Sequence, residues 1–177
     1  MPKFYLWCHI TLVREEILVG DEMTEKKTAS KMPSEEIANV VRKLNEALSK
    51  GDIESLMSFY EEDATLLSPS GKFQGKDAIR RWWTWTFETW QNLTTTETEF
   101  GVMALGSKVA AEHTVEGIVG GVKVSIPIPC LYEFSGDKIR LHKMSFDRLS
   151  LAKQAAKGWF SKRLVGSIEA QMEKGLH

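Results

Sequence analysis

The chain has 177 residues, 42% of them hydrophobic and 27% charged, with a formal net charge of −1. That length suits one domain with short appendages, and the hydrophobic share is enough to bury a core. The near-neutral balance, with basic residues no more than paired, carries no electrostatic footprint for nucleic acid or for an anionic membrane.

In residues 1–19 the apolar run Phe4-Tyr5-Leu6-Trp7 is interrupted by Cys8, His9 and Thr11. Arg14-Glu15-Glu16 then follows with no small-residue cleavage site, so neither a signal peptide nor a membrane span is expected. Gly20-Asp21-Glu22 is consistent with the coding of a purine-rich ribosome-binding sequence placed just before Met23. Translation from Met23 is the expectation, and a short docked helix or strand is the alternative for residues 1–22. Residues 24–33 are rich in Lys, Thr and Ser and read as a linker, so 1–33 form an N-terminal extension.

Pro33-Ser34-Glu35-Glu36 opens the first predicted helix, with acids where the helix dipole favours them. Ile37, Val40, Val41, Leu44, Ala47 and Leu48 recur at helical spacing up to the stop at Gly51. Asp52 can cap a short second helix bearing Ile53, Leu56, Met57 and Tyr60. Ala64–Leu67 is a short apolar run, and Ser68-Pro69-Ser70-Gly71 is a turn. A third helix follows Gly75 and carries Ile79, Trp82, Trp83, Thr86, Phe87 and Trp90 on one face.

The period then changes. Residues 93–105, 108–119, 122–134 and 138–147 read as four strands. Gly106-Ser107, Gly120-Gly121 and Ser135-Gly136-Asp137 separate them as hairpin turns. Residues 148–177 form a C-terminal helical extension in which Gly158 is a candidate break. Helices followed by a run of strands predict an α+β fold, with three N-terminal helices packed on one face of a curved antiparallel sheet and an added C-terminal helix. Such a cone encloses a cavity between helices and sheet.

Within residues 34–147, five segments stand in a distinctive order. They are Leu48-Ser-Lys-Gly-Asp52, Tyr60-Glu-Glu-Asp-Ala-Thr65, Pro69-Ser-Gly71, Gly75-Lys-Asp-Ala-Ile-Arg80, and Phe134-Ser-Gly-Asp-Lys-Ile139 closing at Phe146-Asp147. This pattern resembles the nuclear transport factor 2-like superfamily, in particular its SnoaL-like and ketosteroid isomerase-like branches. The resemblance implies a cone-shaped sheet, a pocket on its inner face and a homodimer formed through the sheet. The isomerase's catalytic set does not carry over. Where that family has its Asp base, this chain has Ser68, and where it has its two oxyanion donors, this chain has Leu44 and Cys130. The Arg-x-Asp of the limonene-epoxide-hydrolase-like members is also absent.

Side chains alternate across a strand. Aligned to the family, the pocket face carries Ala111, His113, Val115 and Gly117, then Ile128 and Cys130, then His142, Met144 and Phe146. Leu44, Tyr60, Ser68, Trp82 and Trp83 are the further candidates for lining it. A buried imidazole favours its neutral form and can accept a proton near neutral pH. His113 is therefore the candidate base and His142 the candidate donor or orienting group, against the alternative that both are core histidines satisfied by hydrogen bonds. Cys130 reads more simply as an apolar wall residue than as a nucleophile. The four histidines His9, His113, His142 and His177 and the two cysteines make no metal motif or disulfide framework, so neither metal nor cofactor is expected and the setting is a reduced, cytoplasmic one.

The functional expectation is a SnoaL-like protein binding a small apolar molecule. It would be an acid–base isomerase, cyclase, dehydratase or hydrolase for a carbonyl, epoxide or polyketide-like substrate. The alternative is a non-catalytic dimeric binding module. Neither nucleic acid nor membrane is an expected partner.

Overall fold

A computed structural model describes residues 34–174, so the expectations for residues 1–33 and for His177 lie outside the described residues. The elements in chain order are α1 (Ser34–Lys50), α2 (Ile53–Ser58), β1 (Tyr60–Ser68), β2 (Gly71–Gln74), α3 (Lys76–Thr89), β3 (Trp90–Leu105), β4 (Lys108–Val119), β5 (Val122–Ser135), β6 (Lys138–Met144), α4 (Arg148–Ala155) and α5 (Gly158–Met172). The helix period places Ile37, Val41, Leu44, Ala47 and Leu48 of α1 on one buried stripe. Burying each large aliphatic side chain contributes about 1.5–3 kcal/mol. Gly51, at φ +65°, ends α1: the Gly51 amide bonds Leu48 O at 3.1 Å and the Asp52 amide bonds Ala47 O at 3.0 Å. This is a Schellman closure, which needs the left-handed backbone that glycine adopts freely. Asp52 then caps α2 by accepting from the Ser55 amide at 3.0 Å.

The six strands form one curved sheet in the order β2-β1-β6-β5-β4-β3. Bulges supply the curvature. Between Gln91 and Thr94, β3 advances three residues against two of β4, with Asn92 at φ 53°. A larger bulge between Glu97 and Val102 contains Gly101. The sheet is mixed rather than wholly antiparallel, because β1 runs parallel to β6. No hairpin joins those two strands. The chain between them includes α3 and three long strands, so turn geometry does not impose an antiparallel pairing.

Two prolines, Pro127 and Pro129, stand inside β5, where a missing N–H normally breaks a ladder. Here β6 pairs no further along β5 than Cys130, opposite Met144. The peptide groups of Pro129 face the edge beyond that point, since Pro129 O accepts from the Ser145 amide at 3.1 Å. The prolines therefore forfeit no ladder bond, and they blunt the edge against pairing with another chain. Ser125 has the same parity, and its amide and carbonyl are met by the Gln154 side chain of α4 at 2.9 and 3.0 Å. The C-terminal extension breaks into two helices, α4 and α5, at the candidate break: α4 ends at Ala155 and α5 begins at Gly158, whose φ is +77°. Lys153 and Glu169 tie the two together at 2.6 Å.

Candidate functional site

Alternation along β4 and β5 turns Val109 to Val115 and Val124 to Phe134 inward, while in β6 a bulge between Ile139 and Leu141 shifts the parity, so that Ile139 and then His142 and Met144 face inward. Register then sets neighbours. Ala111, Cys130 and Met144 share one row across the sheet, and Val109, Tyr132 and His142 share the next. Leu44 of α1 and Trp82, Trp83 and Thr86 of α3 lie over this face. Between the layers is a cavity of about 290 Å³, within reach of the lower end of the range for small-molecule sites. Its mouth lies among the exposed residues Ser70, Trp85, Arg148 and Ala152.

Leu44, Trp82, Trp83, His113, Val115, Cys130, His142, Met144 and Phe146 all line the cavity. Two candidates do not. Tyr60 is the first residue of β1 rather than part of α2, because α2 stops at Ser58. Its ring lies behind His142, where the hydroxyl meets His142 Nδ1 at 2.7 Å and accepts from Trp83 Nε1 at 3.3 Å. Ser68 ends β1, and its hydroxyl accepts from the Ser70 amide at 3.1 Å, which commits it to the turn. Ser70, not Ser68, reaches the mouth. Phe146 lies just past the end of β6, and Asp147 caps α4 by accepting from the Leu149 amide at 2.8 Å. Gly117, on the inward parity of β4, is covered by Trp90: a Cβ there would meet the indole at 3.1 Å.

The lining also includes residues the sequence reading did not select. Tyr132 has the parity of Ile128 and Cys130, so continuing the alternation by two residues would have found it. Asn45, Arg148, Leu151 and Ala152 had no such signal. They reach the cavity because α1 crosses β3 and because α4 folds back over β5.

The electrostatics follow from burial. His113 is 4% exposed and His142 1% exposed. Desolvation lowers the pKa of both imidazoles. For His113 the neighbouring Glu112 carboxylate opposes the shift, and His142 is taken down to about 3, with His113 a second, smaller cause. Both rings are neutral at physiological pH. Burial pushes the Cys130 thiol up to about 12, so it is no thiolate nucleophile. Burial likewise keeps the Tyr60 and Tyr132 hydroxyls protonated.

Five buried side-chain polar atoms have no protein partner among the described residues: Asn45 Oδ1, Trp82 Nε1, His113 Nδ1, Tyr132 Oη and His142 Nε2. All five belong to residues that line this one cavity. Buried polar atoms are ordinarily paired, and leaving one unpaired costs about 1–3 kcal/mol. Their concentration at a single apolar cavity leaves it lined by polar atoms free to bond a molecule that enters it. Among the described residues no cluster of His, Cys, Asp or Glu has metal-site geometry, and no helix is long and apolar enough to cross a membrane.

Part of the cavity wall is α4, through Leu151 and Ala152. Its docking relies on the paired Gln154–Ser125 bonds. Replacing Gln154 with Ala removes both, each contributing about 0.5–1.5 kcal/mol. The expected result is faster hydrogen exchange of the α4 amides and of the Ser125 amide, with little change elsewhere in β4 and β5. Unchanged α4 protection would show that apolar contacts alone hold the helix.

Comparison with known proteins places this geometry. Residues 41–142 match the SnoaL-like domain family. A protein of ketosteroid isomerase-like fold from Catenulispora acidiphila, solved with trimethylamine, is 20% identical at a TM-score of 0.61, covering 66% of this chain and 91% of that one. A candidate polyketide cyclase from Xanthomonas campestris is 17% identical at a TM-score of 0.63, covering 70% and 98%. AclR, a candidate hydroxylase from Streptomyces galilaeus, is 15% identical at a TM-score of 0.61, covering 82% and 99%. At such identities these neighbours speak to the fold alone. No curated protein matches the chain. With the family match spanning more than half of its length, and the cone of helices and curved sheet to go with it, the chain belongs to the SnoaL-like domain family.

Proposed function

We propose that the protein binds a small, largely apolar molecule between helices and sheet and acts on it by acid–base chemistry, with His113 as the base and His142 as a hydrogen-bond donor. The observation that carries this reading is the gathering of all five unpartnered buried polar atoms around one apolar cavity. Carbonyl compounds, epoxides and polyketide-like molecules are the substrate classes. Isomerisation, cyclisation, dehydration and hydrolysis of these need only positioned proton transfer in a water-poor site. The candidate cyclase among the structural neighbours favours the polyketide-like class. A neutral His113 offers a lone pair at pH 7, which a protonated imidazole would lack. The buried, unpaired Cys130 thiol accords with a cytoplasmic setting.

The test is a thermal-shift screen of apolar ketones, lactones, epoxides, steroids and aromatic polyketide acids, followed by turnover assays of the compounds that bind. A ligand at one hundred times its dissociation constant adds about 2.7 kcal/mol, a rise on the order of 5–10 °C for a chain of this size. His113→Gln is expected to keep the shift while lowering turnover by about 10²–10⁴-fold. Full turnover by that variant would remove His113 from the base role.

The second reading, a non-catalytic dimeric module, draws on the outer face of the sheet. Met103, Leu105 and Leu131 are exposed there, on the side opposite the cavity, and a homodimer would cover them. A protein that binds no small molecule yet sediments as a dimer, and turns monomeric on Leu131→Glu, would favour that module.

A further inference from the structure

We infer that the Trp82 indole N–H and the His142 Nε2–H together form a two-donor site for a carbonyl oxygen, with Tyr60 and Trp83 setting the imidazole tautomer that makes His142 a donor. The inference rests on the proposal that the cavity holds a small molecule, and it names the chemistry that molecule must present.

The argument begins with the proton of the Tyr60 hydroxyl. A phenol has one proton to give and two lone pairs. Tyr60 is buried, and its partners among the described residues are Trp83 Nε1 at 3.3 Å and His142 Nδ1 at 2.7 Å. An indole N–H only donates, so Trp83 occupies a lone pair of the Tyr60 oxygen. The Tyr60 proton then has one acceptor in reach, His142 Nδ1. If Nδ1 carried a proton instead, the Tyr60 O–H would be sealed in the core with nothing to bind. The relay therefore runs Trp83 to Tyr60 to His142, and Nδ1 is an acceptor. Burial keeps this ring uncharged, its pKa held down to about 3, so a ring that accepts at Nδ1 carries its proton on Nε2.

That Nε2–H has no protein partner, and neither does the Trp82 indole N–H. Both are buried, and both belong to residues that line the cavity. Trp83 lies against both rings, edge-on to Trp82 at 4.6 Å and stacked with His142 at 6.3 Å between centroids. Tyr132 stacks on His142 at 4.3 Å and fixes its plane. Two unpartnered donors opening on one cavity, both packed against Trp83, call for an acceptor with two lone pairs, which a carbonyl oxygen supplies. A hydrocarbon would leave both donors unpaired, an ammonium would set donor against donor, and the one lone pair of a neutral amine would satisfy only one of them. Ketones, lactones and esters fit. Charge that builds on such an oxygen as an enolate forms would be held more tightly than the ground-state carbonyl, so the pair acts on the transition state. His142 is thereby a donor, and Tyr60 and Trp83 are positioning residues.

Two measurements on the full chain test this, and they separate the inference from the proposed function. The first is the ¹⁵N spectrum of the histidine ring nitrogens without ligand. His142 is expected to show a protonated-type Nε2 and an unprotonated-type Nδ1, and Tyr60→Phe is expected to populate the opposite tautomer. A proton on Nδ1 of the wild type, or an unchanged tautomer in Tyr60→Phe, would overturn the relay whatever the cavity binds. The second compares 2-decalone with decalin, which has the same shape without the oxygen. The ketone should bind about tenfold or more tighter, with its C=O stretch moved to lower wavenumber. Trp82→Phe and His142→Phe should each shrink both effects. Equal binding with an unmoved stretch overturns the carbonyl site and leaves the apolar cavity standing. Binding of neither compound overturns both.

Discussion

Acidification from pH 7 to pH 5 should destabilise the folded protein by about 2 kcal/mol through His142 alone. The folded-state pKa of His142 is down at about 3 from an ordinary value of 6.5, because the ring is desolvated among Tyr60 of β1, Trp83 of α3 and Tyr132 of β5, with His113 of β4 a second, smaller cause. With the folded pKa depressed, the unfolded chain binds more protons than the folded one between those two values. Stability is therefore complete above about pH 6.5 and falls as the pH drops towards 3. His113 is shifted in the same direction and adds to the slope. The carboxylates with lowered pKa, Asp52 and Glu54, act in a different window: their contribution is present above their ordinary values of 3.8 and 4.5 and is lost only below them. The interval from pH 5 to 7 thus isolates the histidines. For a chain of this size, 2 kcal/mol corresponds to a melting temperature lower by roughly 4–8 °C. His142→Gln, whose amide can still accept from Tyr60, should flatten most of that slope. A melting temperature independent of pH across this interval would mean that His142 is solvated or charged in the folded state.

Trp83→Ala should cost about 3–5 kcal/mol, the range for removing a large aromatic from a core, and lower the melting temperature on the order of 10 °C. Trp83 is nearly fully buried and touches four rings: edge-on to Trp82, stacked with Phe87 and His142, and hydrogen-bonded to the Tyr60 hydroxyl. Its loss opens a void beside the cavity and removes the donor that orders the Tyr60 oxygen. Two residues along the same helix, Trp85 is 52% exposed and stands at the mouth. Trp85→Ala should leave stability within about 1 kcal/mol while widening access to the cavity. Comparable losses for the two substitutions would contradict the packing described for α3.

Much of this was legible in the sequence because it depends on period. The stripe Ile37, Val41, Leu44, Leu48 could only be one face of a helix. The alternation through His113 and Val115, then Ile128 and Cys130, put those residues on one side of a sheet once the hairpin was placed at Gly120; His142 and Met144 joined them only through the family resemblance, because a bulge between Ile139 and Leu141 reverses the parity counted from the turn at Gly136. Gly51, Gly75 and Gly158 marked helix boundaries because each sits at positive φ, where a side chain is strained.

What only the tertiary structure decided are the contacts between residues far apart in the chain. No pattern in the sequence links Tyr60 to His142, 82 residues apart, yet that bond sets which ring nitrogen faces the cavity. The parallel pairing of β1 with β6 that makes the bond possible leaves no hairpin signal, since the intervening chain carries an α-helix and three long strands. The closing wall of α4 is likewise silent in sequence, because a helix eight residues long with no buried residues of its own has no stripe to read. It takes its place through Gln154, which finds two peptide groups of β5 that become free only because β6 ends at Met144. Period fixes which face a side chain occupies; the meeting of faces from separate elements fixes what it touches, and the proton position on His142 belongs to the second kind of fact.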